Sequence, residues 1–347
     1  MERLMQQENH QRIPDSPSIL TTTVGSYPIP DWLATFPSEQ ARMDATRVVF
    51  DIQRQAGIDL PTDGELYRFD VNHPDTNGMI DYFVGSLSGI TTRLGYADWK
   101  TFSGREAMSF RRKPAGKIKD EIGEGCLNLV ADCEKAASLS SGPFKFTVTS
   151  PYMLAKTLSD SYYQDFEQSV LAIARVLAAQ VAELPCACLQ VDEANITGSP
   201  QDAPLAAKAI NLILDSFKGE RAAHLCFGNY GGQTIQEGKW KSLLDFLNAL
   251  HAHHLVLELA HRPVDDLDAL RGVDSRIALG IGVVDVKINR IETPDEVARR
   301  IGSAEKRLGA GRVRWVHPDC GFWMLNRSVA DRKIEALVRG RDRYLGL

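Results

Sequence analysis

No window of this 347-residue chain approaches the ~20 uninterrupted apolar residues that a membrane-crossing helix requires. The opening MERLMQQENHQRIPDSPS has no apolar stretch of the kind that directs secretion. Basic clusters are scarce, with nothing larger than Arg111, Arg112 and Lys113, and 40 Lys plus Arg stand against 45 Asp plus Glu for a formal charge of -5. Nucleic acid and membrane are therefore not expected partners. Low-complexity tracts, Gly/Ser linkers and repeats of fixed period are also absent. Cysteine is sparse: Cys126, Cys133, Cys186, Cys188, Cys226 and Cys320 are scattered as in a cytoplasmic protein with reduced thiols, some of them available to a metal. What remains is 44% hydrophobic and 24% charged residues, enough for a sizeable core without disulfides.

The length alone allows two average domains or one large barrel. Eight β-type runs bounded by turn residues follow one another: 20–27, 60–65, 143–151, 187–195, 221–229, 255–262, 277–287 and 313–322. Segments with helical apolar spacing fall at 39–57, 162–184, 202–218, 239–252, 265–271 and 293–309, and another, 327–338, follows the last run. Thr293-Pro294-Asp295-Glu296 has the form of a helix start, with Thr as cap and Glu three residues on. Strands alternating with helices predict a parallel sheet, and eight of them an α/β (β/α)8 TIM barrel. The interval 66–142 breaks the rhythm and reads as an insertion between strands 2 and 3, with a hairpin at 83–96 and a helix at 129–139, lying over the mouth as a lid. The expected organisation is a polar tail at 1–18 and one catalytic domain at 19–347.

In this architecture chemistry sits where the strands end. The fifth run carries His224 and Cys226 at i and i+2, which on a strand face the same side. Glu258 lies in an otherwise apolar run, where a carboxylate needs a partner or a metal. Cys320 follows the eighth run in Pro318-Asp319-Cys320-Gly321. A nitrogen, two sulfurs and an oxygen suit tetrahedral Zn2+ rather than Mg2+ or Ca2+. So electron-rich a zinc is a better holder of an incoming thiol than a source of hydroxide. The alternative reading makes His224 and Cys226 core residues and Cys320 a free thiol.

These residues, in this order, resemble the catalytic barrel of the cobalamin-independent methionine synthases. The resemblance runs from about Leu20 to the C-terminus and carries the metal set His224, Cys226, Glu258 and Cys320. TTTVGSYP at 21–28 is similar to the family's first-strand motif, which implies that Gly25 and Ser26 hold the amino-acid part of homocysteine. DGE at 63–65 implies that Glu65 binds the substrate ammonium. VDEA at 191–194 resembles the family's I-D-E-P-A and gives Asp192 the same task, with Ala-Asn in place of Pro-Ala. The alternative for Glu65 and Asp192 is an ion pair with Arg68 or another rim cation. Glu193 points the other way on a strand and is expected to be structural.

The chain departs from the longer enzymes in three places. It has no second, N-terminal barrel, so it resembles a short single-barrel branch. The family's histidine after the seventh strand is replaced in Asp285-Val286-Lys287, which leaves proton delivery to Lys287, Asp285 or a water. The folate-contacting stretch is echoed loosely by 110–118, whose basic trio meets an anion or merely solvent. The expected activity is zinc-dependent methyl transfer to homocysteine or another small thiol, from methyltetrahydrofolate or a methyl-corrinoid, free or carried by a corrinoid protein. The rivals are an epoxide:coenzyme M transferase-like alkyl transfer and a non-catalytic metal-binding barrel. Among the other features, His251, His253 and His254 read as surface histidines, Cys186 and Cys188 as structural. Asp319 is placed to orient a ligand, and Tyr27, Tyr230 and Trp323 to wall a pocket.

Overall fold

The computed structural model describes residues 13, 19–73, 77–103, 111, 113–229 and 233–347. Apart from Ile13, the expected tail at 1–18 lies outside the described residues, as do Arg112 and Tyr230. The strands are β1 (Leu20–Thr21), β2 (Ser88–Thr91), β3 (Gly116–Gly123), β4 (Lys145–Thr149), β5 (Leu158–Asp160), β6 (Cys188–Glu193), β7 (Glu220–Leu225), β8 (His254–Leu257), β9 (Ala278–Val284) and β10 (Val313–Pro318). Seven of these form one sheet in the order β1-β10-β9-β8-β7-β6-β4, every neighbouring pair parallel. The gap between β1 and β4 is filled by residues 60–62, through parallel bridges Thr22 to Leu60 and Thr62 to Lys145. The result is the (β/α)8 barrel that the strand–helix alternation predicts.

The second expected strand, 60–65, is thus shorter than its sequence suggests. Pro61 has no amide to donate, and the chain turns out of the sheet through left-handed Gly64 (φ 73) and Glu65 (φ 58). The helices lie close to expectation: Glu39–Ala56, Phe166–Val181, Ala203–Ser216, Pro294–Leu308 and Arg327–Leu345 each follow a run of the sheet. Thr293 and Glu296 form the expected reciprocal cap, Glu296 N donating to Thr293 Oγ1 at 3.2 Å and Thr293 N to Glu296 Oε2 at 2.8 Å.

The interval 66–142 differs from expectation in one respect. Residues 83–96 do not form a hairpin: Asp81–Ser86 is a helix that buries Phe83 and Val84, and β2 then pairs antiparallel with the distant β3. β3 pairs in turn with β5, which lies beyond the barrel's third strand. The apolar residues Phe83, Val84 and Leu87 have helical rather than alternating spacing, and all three are buried in one cluster with Phe144, Phe146 and Val148 of the barrel. The helix Leu129–Leu139 forms as expected, capped by Asn128. Thr149 Oγ1, at the C-terminal end of β4, donates to Met79 O at 2.7 Å, so the start of the interval lies against the barrel mouth.

The barrel interior is unusually polar. Lys145, Gln190, Asp192, His224, His254 and His317 are all buried. Glycine makes part of this possible: a Cβ at Gly280 would approach the His317 ring to 3.2 Å, and one at Gly282 would lie 1.9 Å from Asp319 Oδ1.

Candidate metal and substrate site

Three of the four expected metal ligands come together. One ligand atom from each of His224, Cys226 and Cys320 lies within 4.8 Å of the others. His224, next to last on β7, has its Nδ1 2.9 Å from Val256 O, an arrangement that fixes the ring and leaves Nε2 buried with no hydrogen-bond partner among the described residues. Cys226 Sγ and Cys320 Sγ are 4.0 Å apart. Two sulfurs on one tetrahedral ion with ~2.3 Å bonds stand roughly 3.8 Å apart, so the cluster is close to ligating geometry without rearrangement. The hydrogen bond with Cys226, aided by the His224 ring, holds Cys320 well below the usual thiol pKa, while the same contact and burial push Cys226 up. A buried imidazole nitrogen with no hydrogen-bond partner beside two cysteine sulfurs fits a thiophilic metal.

Glu258, the fourth expected ligand, lies just beyond β8 and outside that trio. Its Oε2 accepts from Phe227 N at 3.0 Å, and its Oε1 accepts from Lys287 Nζ. Lys287, one of the two residues expected to deliver a proton, is therefore committed to Glu258 as a buried ion pair. Asp285, the other, accepts from Lys287 N at 2.8 Å through Oδ1, and its Oδ2 lies 3.2 Å from His261 Nδ1. Sequence reasoning passes over His261, although it is a polar residue just past a strand end in Leu259-Ala260-His261-Arg262. Asp319 gathers the backbone amides of Leu259, Ala260 and His261 at 2.7 to 2.9 Å, tying the loop that carries His261 to the residue beside Cys320.

Beside the trio, where Asp192 pairs in register with His224, Glu65 and Asp192 are joined by Arg68. Glu65 Oε2 accepts from Arg68 Nη1 at 3.2 Å, and Asp192 Oδ2 is 4.0 Å from Arg68 Nη2. Thr147 Oγ1 donates to Glu65 Oε1 at 2.7 Å. The ion pair with Arg68 is thus formed, with one guanidinium shared between the two carboxylates. Asp192 Oδ2 is buried with no hydrogen-bond partner among the described residues. Burial, followed by the charge of Glu65, raises the Asp192 pKa to about 7. Glu65 keeps its left-handed backbone because Asp63 Oδ1 accepts from its amide at 2.9 Å. Gly25 is required beside it, since a Cβ there would lie 2.1 Å from Glu65 Oε1. Ser26 lies over Gly321, where a Cβ would meet Ser26 Oγ at 2.0 Å, and Ser26 O accepts from Phe322 N at 2.8 Å. The Gly25–Ser26 turn is thereby seated next to Cys320.

The remaining residues divide. Glu193 caps Asn195 N and Ile196 N and is structural, as expected. His251 and His253 are exposed, but His254 is buried on β8 with its Nδ1 2.9 Å from Glu220 Oε1, contrary to the reading of a surface histidine. Alternation along β8 turns it inward against the stacked Trp315 ring. Tyr27 is buried and bonds Asp331, while Trp323 is exposed near the mouth.

A parallel (β/α)8 barrel with a His-Cys-Cys cluster able to hold a metal and two carboxylates at its C-terminal rim is the class that the fold and site define. Comparison with known proteins gives the family. Residues 19–340 match the family described as "Cobalamin-independent synthase, Catalytic domain", and the chain belongs to it. The chain is 29% identical over 338 residues to a methionine synthase of Pyrococcus abyssi, covering 93% of this chain and 92% of that one. It is 28% identical over 341 residues to one of Thermococcus kodakarensis, covering 93% of each. Among solved structures, it resembles a B12-independent methionine synthase from Shewanella sp. W3-18-1 in complex with selenomethionine, with TM-score 0.78, 22% identity and coverage of 95% and 100%. A methyltransferase from Methanosarcina mazei shares the fold at TM-score 0.60 and 12% identity, over 99% and 98% of the two chains. This protein is therefore a methionine synthase-like enzyme of the cobalamin-independent type, a methyltransferase family. No helix among the described residues is long and apolar enough to cross a membrane.

Proposed function

We propose that the protein is a zinc-dependent methyltransferase that methylates the thiol of L-homocysteine to give methionine. The observation that carries the reading is the His224, Cys226, Cys320 cluster at the same rim as the Glu65, Asp192 carboxylate pair. His224, Cys226 and Cys320 would hold the ion, with Glu258 as fourth ligand through one of its two oxygens. Zinc bound there supplies a thiolate nucleophile at neutral pH. Glu65 and Asp192 take the α-ammonium, with Arg68 keeping the local charge near balance. Gly25 and Ser26 offer backbone amides and a hydroxyl to the carboxylate end. Fixing both ends of the amino acid aims its sulfur and turns a bimolecular displacement into an oriented one.

Of the two donor classes, a methyl-corrinoid fits the site better than methyltetrahydrofolate. A departing folate nitrogen needs a proton, and the Lys287 ammonium is held by Glu258. A departing corrinoid needs none. Met79 lies against the C-terminal end of β4, and we assign the described part of 66–142 the role of covering the bound substrates.

Mass-spectrometric detection of methionine from zinc-loaded protein and homocysteine, with methylcobalamin or methyltetrahydrofolate as donor, tests the reading. Methionine is expected with the corrinoid and is lost in Cys320→Ser. Failure with both donors would overturn the assignment, and efficient transfer from the folate alone would overturn the donor preference.

A further inference from the structure

Beneath the carboxylate pair, the barrel encloses an ammonium that methyl transfer does not use. Lys145 begins β4 and is fully buried, and its Nζ donates to Gln190 Oε1 at 2.6 Å. The amide of Gln190 then donates through Nε2 to Asp192 Oδ1 and to Val24 O, each at 2.7 Å. Lys145 and Thr147 alternate inward on β4 as Gln190 and Asp192 do on β6, so the chain of contacts climbs the interior from Lys145 to the rim.

We propose that Lys145, acting through Gln190, is a positioning residue that orients Asp192 and so sets the enzyme's selectivity for thiols bearing an α-amino group. The inference rests on the reading of Asp192 as part of the ammonium cradle. A glutamine side chain has one acceptor end and one donor end. Turned over, Gln190 would set its oxygen against two acceptors, Asp192 Oδ1 and Val24 O, and its amino group against the Lys145 ammonium. All three contacts therefore favour one orientation. In that orientation Asp192 Oδ1 is engaged, and Oδ2 is left without a hydrogen bond among the described residues. A buried acceptor with no partner is costly unless a ligand completes it. A buried ammonium is costly as well, and an apolar side chain at 145 would fill the same space without that penalty. Packing alone therefore does not account for Lys145, whereas orienting Asp192 does.

The test compares homocysteine with 4-sulfanylbutanoate, the same carbon chain without the amine, as acceptors for the zinc-loaded wild type, Lys145→Met, Gln190→Leu and the double variant. KM and kcat are measured for each thiol, with thermal melting to verify folding. The homocysteine KM is expected to rise about tenfold in either single variant, equivalent to ~1.4 kcal/mol, with kcat little changed and the 4-sulfanylbutanoate KM unaffected. The double variant should be no worse than Gln190→Leu, since both substitutions break one chain of contacts. Equal losses with both thiols, or additive effects, would overturn the relay. A homocysteine preference that survives in Lys145→Met and Gln190→Leu would overturn it too, leaving the cradle standing. A wild type that does not prefer homocysteine would overturn both. If Lys145→Met fails to fold, Gln190→Leu alone decides, because it removes the link while leaving the ammonium in place.

Discussion

Lys287 and Glu258, just past the ends of the neighbouring strands β9 and β8, form an ion pair whose side chains are 3% and 0% exposed. One is a sequence-level candidate for proton delivery and the other for metal ligation, and in the folded protein each is the other's partner. Removing either charge strands the other in a low-dielectric interior, which typically costs about 3–5 kcal/mol. Lys287→Met is expected to lower unfolding stability by about that much in metal-free protein, and by less once a bound cation shares the Glu258 charge. Urea unfolding with and without added zinc measures both. An equal loss in the two states would remove Glu258 from the metal site.

The metal trio makes its own prediction. His224→Ala and Cys320→Ser should each reduce bound zinc well below one per chain, as read by elemental analysis after dialysis against a weak chelator. Wild-type protein should lose thermal stability on chelation, because an ion that binds only the folded state stabilises it by mass action.

Glu292 and Lys333 form a second buried pair behind the site. Lys333 Nζ donates to Glu292 Oε2 at 2.8 Å and to the carbonyls of Asp285 and Arg290 at 2.8 and 2.6 Å, while Glu292 Oε1 accepts from Asp285 N at 3.0 Å. The loop carrying Asp285 and Lys287 is thus pinned to the last helix. Lys333→Met should cost roughly 3–5 kcal/mol and raise amide exchange at 285–292. Unchanged exchange there would contradict the pinning.

Lys145 predicts a dependence of stability on pH. Burial lowers its pKa to about 8, whereas an unfolded chain keeps that proton until about 10.4. Between those values the unfolded state binds more protons, so this residue's contribution to stability rises with pH. The stability of wild type relative to Lys145→Met should therefore increase from pH 8 to pH 10 and stay flat below pH 8. Chemical denaturation across that range checks the sign.

Gly25→Ala places a methyl group against Glu65 Oε1, at a position 2.1 Å from it in the present geometry. Glu65 must then move, and the homocysteine KM should rise at least tenfold, a loss of ~1.4 kcal/mol of binding, while metal content stays intact. A loss of metal instead would mean that the two halves of the site are not separable.

Period-two apolar runs and helical spacing carry most of the barrel's order, because each strand and each helix announces its own buried face. His224, Cys226 and Cys320 are legible for the same reason: a polar or soft side chain at a strand end of a barrel seldom serves packing alone. The three-stranded excursion β2-β3-β5 is not, since β2 finds its partner β3 only after a long intervening segment. Lys145 and Gln190 escape notice because nothing in Lys-Phe-Thr-Val-Thr or Cys-Leu-Gln-Val-Asp distinguishes an inward polar residue from an outward one. His261 is hidden differently: its partner Asp285 lies just past the next strand, β9, and only the fold brings the two together. The Arg68 bridge shows how two readings of Glu65 and Asp192 coexist, an ion pair that still leaves one oxygen unclaimed.

Zinc X-ray absorption on the loaded protein, with and without homocysteine, reads thiol activation at the metal itself. Two sulfur neighbours at about 2.3 Å are expected in the resting protein and a third on adding the amino acid, with no third in the presence of O-methylhomoserine, the oxygen analogue of methionine. A sulfur count that does not change with homocysteine would contradict activation of the acceptor thiol at the His224, Cys226, Cys320 cluster.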